Sequence, residues 1–177
     1  MTNNIRTIEV VEYDEKWNEM YLAEAKKIKE ILKEEIINIY HIGSTSIPNM
    51  DAKPVIDIMI EVKNINNIDK YNDKMSEINY IAKGEYGIEG RRFFLKGLYK
   101  RTHHVHIFQK NNKEIKRHIN FRDYMISNQK EAIEYSTLKK KLAVEFRHDI
   151  DGYCKGKDLF IKNIDKKAKI WSENKDK

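Results

Sequence analysis

Residues 54–62, PVIDIMIEV, form a near-continuous apolar run, too short for a membrane span and rich in β-branched side chains. Such a run reads as a strand buried on both faces. That demands a sheet covered by other elements, so the chain must supply helices for those faces. The run carries one oddity, a carboxylate near its start. Strand side chains alternate, so Asp57, Met59 and Glu61 share one side while Ile56, Ile58 and Ile60 share the other. An acid in that position is costly unless it is solvated, paired or bound to a cation. Pairing with Lys53 or an arginine is one reading, and a metal-binding carboxylate at the strand's exposed end is the other. Glu61 is not its partner, because four residue rises put it about 13 Å away.

The helices are legible. After Asp14, a candidate N-cap, residues 15–35 place Trp17, Met20, Tyr21, Ile28, Ile31 and Leu32 on one stripe. A helical segment is expected over 66–77 and another over 113–126. A further one starts at Asn128, with Glu131 close to a capping box and Ala132, Tyr135, Leu138, Leu142 and Phe146 on its apolar face. The last runs from about 150 and buries Tyr153, Phe160, Ile161, Ile164, Ala168 and Trp171. Strands are expected for IRTIEVVEY at the start, IINIYHI (36–42), residues 79–83 and THHVHIFQK (102–110). The last pairs with RRFF as a hairpin across LYKR. Sheet first and helices after is an α+β organisation: a single domain with an αβ core over 1–112 and a helical block over 113–177.

Two stretches can carry chemistry. His41, Gly43, Ser44 and Thr45 belong to a turn that follows a strand, with a flexible glycine, small hydroxyls and free backbone donors. Such turns bind phosphate, although most Gly-Ser turns are only turns. In RTHHVHIF, His104 and His106 point the same way at a spacing compatible with one shared ion. His103 points with Val105 and Ile107, toward the core or a sheet edge. A polar patch on an edge strand is the plainer alternative. Arg91, Arg92, Lys96 and Arg101 lie nearby in sequence, and arginine forks match phosphate oxygens, which favours a polyanion site.

The net charge of +6 also favours anionic partners, nucleotides or phosphorylated small molecules among them. Nucleic acid fits the charge but has no RNA-binding motif or aromatic-basic ribbon behind it. Much of the excess lies in Lys139, Lys140, Lys141, Lys166, Lys167 and Lys169, which read as solvated helix faces. The lone Cys154 excludes an internal disulfide framework and a cysteine-rich zinc site. No apolar signal core opens the chain, so a cytoplasmic protein without membrane attachment is expected. Walker and dinucleotide-binding glycine motifs are absent, and Ser44 lacks a nucleophile elbow.

Several blocks carry a resemblance: VEYDEKW, HIGSTSIPNMDAKPVIDIMIEV, GIEGRRFFLKG, RTHHVHIF, HINFRDYM, EYSTLKKKLA and YCKGKDLFI, in order over nearly the whole chain. Together they resemble the GrpB family of small bacterial proteins, placed within the DNA polymerase beta-like nucleotidyltransferase superfamily. The resemblance implies a nucleotidyltransferase-like mixed β-sheet core flanked by helices, with a C-terminal helical block. Superfamily members carry a Gly-Ser step, then a strand with two acids; here twelve residues separate Ser44 from Asp57.

By that likeness the Gly-Ser backbone holds nucleotide phosphates, Asp57 binds divalent metal, and a later strand completes the site, where His104 and His106 stand. Ser44 and Thr45 would cradle phosphate, while Lys53, Arg91 and Arg92 would neutralise it. Met59 occupies the second acid position, which puts two-metal transfer in doubt. Mg²⁺ or Mn²⁺ is the implied ion, and imidazole ligands favour Mn²⁺ or Zn²⁺ over Mg²⁺. Three activities follow as expectations: nucleotidyl transfer from a triphosphate, nucleotide or phosphometabolite binding without chemistry, and a His/Asp metal-dependent phosphohydrolase.

Overall fold

The computed structural model describes residues 7–175. Five strands form one mixed sheet in the order β1-β2-β5-β4-β3: β1 Ile36–Ile42, β2 Ile56–Val62, β3 Tyr80–Ala82, β4 Arg91–Lys96 and β5 His103–Gln109. Only β2 and β5 run parallel; β1–β2, β4–β5 and β3–β4 are antiparallel. The apolar run therefore lies between β1 and β5. Both of its faces are covered, as its composition requires: Ile56, Ile58, Met59, Ile60 and Val62 are all inaccessible.

One face carries α1 (Lys16–Leu32), a 3-10 stretch (Ile65–Tyr71) and the short α2 (Asn72–Glu77). Trp17, Ile28 and Leu32 of α1 meet Ile56, Ile58, Ile60, Val105 and Ile107 there, with Ile68 and Met75 closing the layer. The opposite face, which includes Met59 and Phe108, packs under Ile115 and Ile119 of α3 (Lys113–Ser127). Helices α4 (Gln129–Glu145) and α5 (Ile150–Lys175) join α3 in a second core. Ile47 and Met50 are buried in that same core, so the segment after the Gly-Ser turn is anchored to the helices. Among the described residues no helix is long and apolar enough to cross a membrane.

Four expectations need correction. The leading segment forms no strand among its described residues: Val11 makes a single bridge to Ala52, while Ile8 and Val10 turn to Leu142, Ala143 and Tyr153. Its start, Ile5 and Arg6, lies outside the described residues. The 66–77 segment divides into 3-10 and α pieces, and the first helix ends at Leu32 in a 3-10 turn. The capping box does not form. The Asn128 amide donates to Tyr124 O at 2.8 Å, closing the helix before it, and the Glu131 carboxylate is taken by Lys167 of α5.

The Gly-Ser turn is held by its backbone. Gly43 has φ +71° and ψ −175°, a region open almost only to glycine. A Cβ at Gly43 would stand 2.7 Å from Asp57 Oδ2. The glycine thus serves both the bend and the close approach of turn to carboxylate. Gly43→Ala should lower the unfolding free energy by about 1–3 kcal/mol, read by urea denaturation, and displace the Asp57 carboxylate.

Candidate functional site

Because β2 and β5 are parallel and in register, Asp57 lies opposite His104 and Met59 opposite His106. All four project from the α3 side of the sheet. Asp57 Oδ1 is 3.3 Å from His104 Nδ1 and 3.3 Å from His106 Nε2. Burial alone would raise the Asp57 carboxyl, but its hydrogen bonds with the two imidazoles outweigh that and hold it well below the usual carboxylate range. Phe93 on β4 lies against both rings, at 5.4 and 5.1 Å between centroids. From α3, His118 reaches to 5.9 Å from His106.

Arg91 decides how His106 is used. Its side chain is buried, with Nε donating to Glu85 O at 3.1 Å and Nη2 to Tyr86 O at 2.7 Å. Nη1 lies 3.3 Å from His106 Nδ1. A guanidinium can only donate, so His106 Nδ1 accepts and the ring proton stands on Nε2, pointing at Asp57. Burial pushes the His106 pKa down against the pull of Asp57, which agrees with a neutral ring in that tautomer. His106 therefore holds Asp57 in place.

The Gly-Ser turn is braced from behind. Ser46 Oγ donates to Gly43 O at 2.6 Å, and His41 Nε2 lies 3.0 Å from Thr45 Oγ1. His41 stacks on Tyr21 of α1 at 4.8 Å, and its carbonyl accepts from Arg122 of α3 at 3.0 Å. Burial first, with Arg122 and His103 adding to it against Asp57, brings the His41 pKa down to about 4.

A cavity of about 130 Å³ opens between the turn, Asp57 and the helical block. Ser44, Thr45, Lys53, Asp57 and His104 line one side, and Lys139, Tyr153 and Lys157 the other. Lys139 is 2% exposed and donates to the Asp51 carbonyl at 2.5 Å; the Asp51 carboxylate is taken by Lys140. Burial brings Lys139 down to about 7, with Lys157 pushing the same way and Asp51 opposing. Tyr153 lies between two ammonium groups, 4.9 Å from Lys53 and 4.6 Å from Lys157. Three lysines thus face a lining that contains one acid.

The fold brings together most of the expected residues: Asp57, His104, His106, Ser44, Thr45 and Lys53 at the site, His41 and Gly43 in the turn's frame, and Arg91 behind His106. Arg92 points to the other face of the sheet and pairs with Asp69 at 2.7 Å, so it does not reach the cavity. Lys96 also lies on that face, 2.6 Å from Glu24. His103 is buried there, as its alternation demands.

Lys139 corrects the reading of its segment as a solvated face; Lys140 and Lys141 do remain exposed. The signal was present. Lys139 is four residues after Tyr135 and three before Leu142, and Lys157 stands likewise between Tyr153 and Phe160. Both lysines sit on apolar helical stripes, where a charge needs a reason. His118 had no such signal.

Asp57, His104 and His106 offer ligand atoms that all lie within 4.8 Å of one another. Two imidazole nitrogens and one carboxylate oxygen suit Mn²⁺ or Zn²⁺ better than Mg²⁺. Asp57 and His104 fit such an ion directly. His106 fits once Arg91 leaves Nδ1, since ligation through Nε2 needs the proton on the other nitrogen.

The family model described as GrpB protein matches residues 7–167. "UPF0157 protein YqkA" of Bacillus subtilis (strain 168) is 46% identical over 170 residues, which cover 96% of this chain and 50% of that protein. The chain thus spans half the length of that relative. "Glutamate-rich protein GrpB" of Alkalihalophilus pseudofirmus is 31% identical over 161 residues, 88% of this chain and 92% of that one. The crystal structure of conserved protein GrpB from Enterococcus faecalis superposes with a TM-score of 0.88 at 46% identity, covering 92% of this chain and 99% of that one.

Two outcomes are expected. The unfolded chain binds a proton on His41 near its ordinary 6.5 while the folded chain resists until about 4. Stability should therefore fall as pH drops through that window, by about 3 kcal/mol from this residue alone, and stay flat above it. His118, brought down to about 3 chiefly by burial, adds to the slope. Denaturant unfolding across pH should show a shallower fall for His41→Gln. For Arg91→Met, release of His106 Nδ1 should tighten Co²⁺ binding by at least about tenfold, read from the visible spectrum of the titrated protein. Equal affinity in the two proteins would contradict the assignment of the His106 proton.

Proposed function

The chain belongs to the GrpB family, and from that premise and the cavity's geometry we propose that it binds a nucleoside triphosphate by its phosphates and transfers the nucleotidyl group to an acceptor. One observation carries the reading: Lys53, Lys139 and Lys157 converge on the Gly-Ser turn beside Asp57. A buried ammonium whose nearest acceptor is a backbone carbonyl is costly, and a phosphate chain would offset that cost. The cavity takes phosphates and leaves no room for a whole nucleotide, so the nucleoside lies outside it.

In the reaction, an acceptor oxygen attacks the α-phosphorus as the bond to the β-phosphate oxygen breaks, and pyrophosphate leaves. The acceptor's proton passes to solvent water, because His104 Nδ1 faces Asp57 and its Nε2 is sealed from the cavity. The three lysines and the turn's backbone donors stabilise the negative charge that builds on the leaving phosphates. A divalent ion held by Asp57 and His104 would polarise the phosphoryl oxygens.

A second reading, binding without transfer, is favoured by Met59. That side chain is inaccessible and packs with Ile42, Phe108 and Ile115. The second acid is not simply missing; its place is part of the core.

Incubating the protein with labelled triphosphates and Mn²⁺, Mg²⁺ or Zn²⁺ separates the two. Transfer predicts pyrophosphate release that is lost in Asp57→Ala, with triphosphate affinity at least about tenfold weaker in Lys139→Gln. Tight binding with no pyrophosphate under any ion selects the binder. No binding at all rejects both.

A further inference from the structure

Beside the phosphate cavity lies a second, of about 330 Å³, that shares Lys53 and Val55 with it. Its other walls are residues 7–9, Pro54, and Tyr99, Lys100 and Arg101 of the loop between β4 and β5. That loop is firmly shaped. Gly97 has φ +84°, a Cβ there would come 2.1 Å from Lys100 O, and Thr102 N donates to Lys96 O at 2.9 Å. The next link ties the loop to the catalytic strand, with Ile56 N donating to Thr102 O at 2.9 Å. Arg101 therefore sits three residues before His104 on a fixed backbone.

Arg101 differs from the other arginines near the site. Arg91, Arg92, Arg117 and Arg122 direct their N–H groups at named acceptors. The Arg101 Nε is inaccessible to solvent and has no hydrogen-bond partner among the described residues. An N–H withdrawn from water and left unmet costs free energy, and the rest of this half-buried residue borders the cavity. Around it stand Lys100, Lys53 and the 57%-exposed ring of Tyr99, against one acid, Glu9.

We propose that this second cavity is the acceptor subsite, and that it takes an anionic group of the acceptor, a phosphate or a carboxylate, on Arg101 and Lys100. The assignment to the acceptor rests on the reading of the first cavity as the nucleotide's phosphate site. A nucleoside carries no charge for Arg101 to meet, so this half-buried guanidinium with its unmet Nε points to the other substrate. The volume fits a small molecule, and the fork of Arg101 suits planar or tetrahedral oxyanions. Lys53, common to both cavities, lies where the acceptor would approach the phosphate chain.

The test is an amide chemical-shift titration of the full chain with inorganic phosphate in one arm and acetate in the other. Phosphate or acetate should shift the amides of residues 99–102, and the arm that does so at lower concentration names the group. Arg101→Gln should weaken that response by at least about tenfold while leaving phosphate-induced shifts at the Gly-Ser turn in place. Lys157→Gln should do the reverse. Lys100→Glu, at an exposed position, should weaken the loop response too, and it keeps the test valid should Arg101→Gln unfold. The proposal is overturned if neither anion moves residues 99–102, or if Arg101→Gln and Lys100→Glu leave those shifts unchanged. Silence at the turn with a response in the loop would instead count against the nucleotide reading while leaving an anion subsite at Arg101.

Discussion

The parallel pairing of β2 with β5 is the constraint on which the site depends. These strands are distant in sequence, and only their shared direction and register set Asp57 beside His104 and one step from His106. A slip of one residue in β2 would turn Asp57 to the α1 side of the sheet and Ile56 and Ile58 toward α3. The apolar run forbids that slip, since it would drive a carboxylate into the α1-side core. The burial that fixes the register is thus also what holds the carboxylate against the two imidazoles.

Charge then organises what surrounds the sheet. The αβ half contributes the acid, the histidines and Lys53, whereas Lys139 and Lys157 come from α4 and α5. A cavity with three lysines and one acid exists only because the helices are docked against the turn through Ile47 and Met50. Lys139 illustrates the cost. At 2% exposure its charge is suppressed by desolvation, and the backbone carbonyl of Asp51 with the Tyr135 ring compensates in part. An anion between the lysines would restore the charge and relieve their mutual repulsion. Binding of an anion there would couple to folding through that side chain.

Much of this was legible in the chain itself. The run at 54–62 announced a covered central strand, and strand alternation placed Asp57 with Met59 and His104 with His106. What could not be read was which faces of separate strands would coincide. Arg91 and Arg92 are neighbours in sequence and look equivalent, yet alternation sends one to His106 and the other to Asp69. Lys139 and Lys140 also look alike, and only the helical stripe from Tyr135 to Leu142 separates a buried cation from a solvated one. The leading segment misled because its apolar residues match a strand pattern while their actual partners lie in α4 and α5.

Met59 concentrates the remaining chemical question. In a site built on two acids, the second carboxylate holds an ion against the transferring phosphate. Here the equivalent side chain is sealed beneath α3, and the polar groups on that face belong to β5 instead. His106 cannot replace the acid while Arg91 occupies Nδ1, and Asp57 Oδ1 is shared between the His106 and His104 imidazoles, of which only His104 borders the cavity. That asymmetry limits the site to a single ion at most. In the proposed reaction the lysines would take over the charge neutralisation that a second ion supplies, and an ammonium does so without oxygen ligands of its own. On that reading, the lysines around the cavity and the absence of the second acid are two sides of one arrangement.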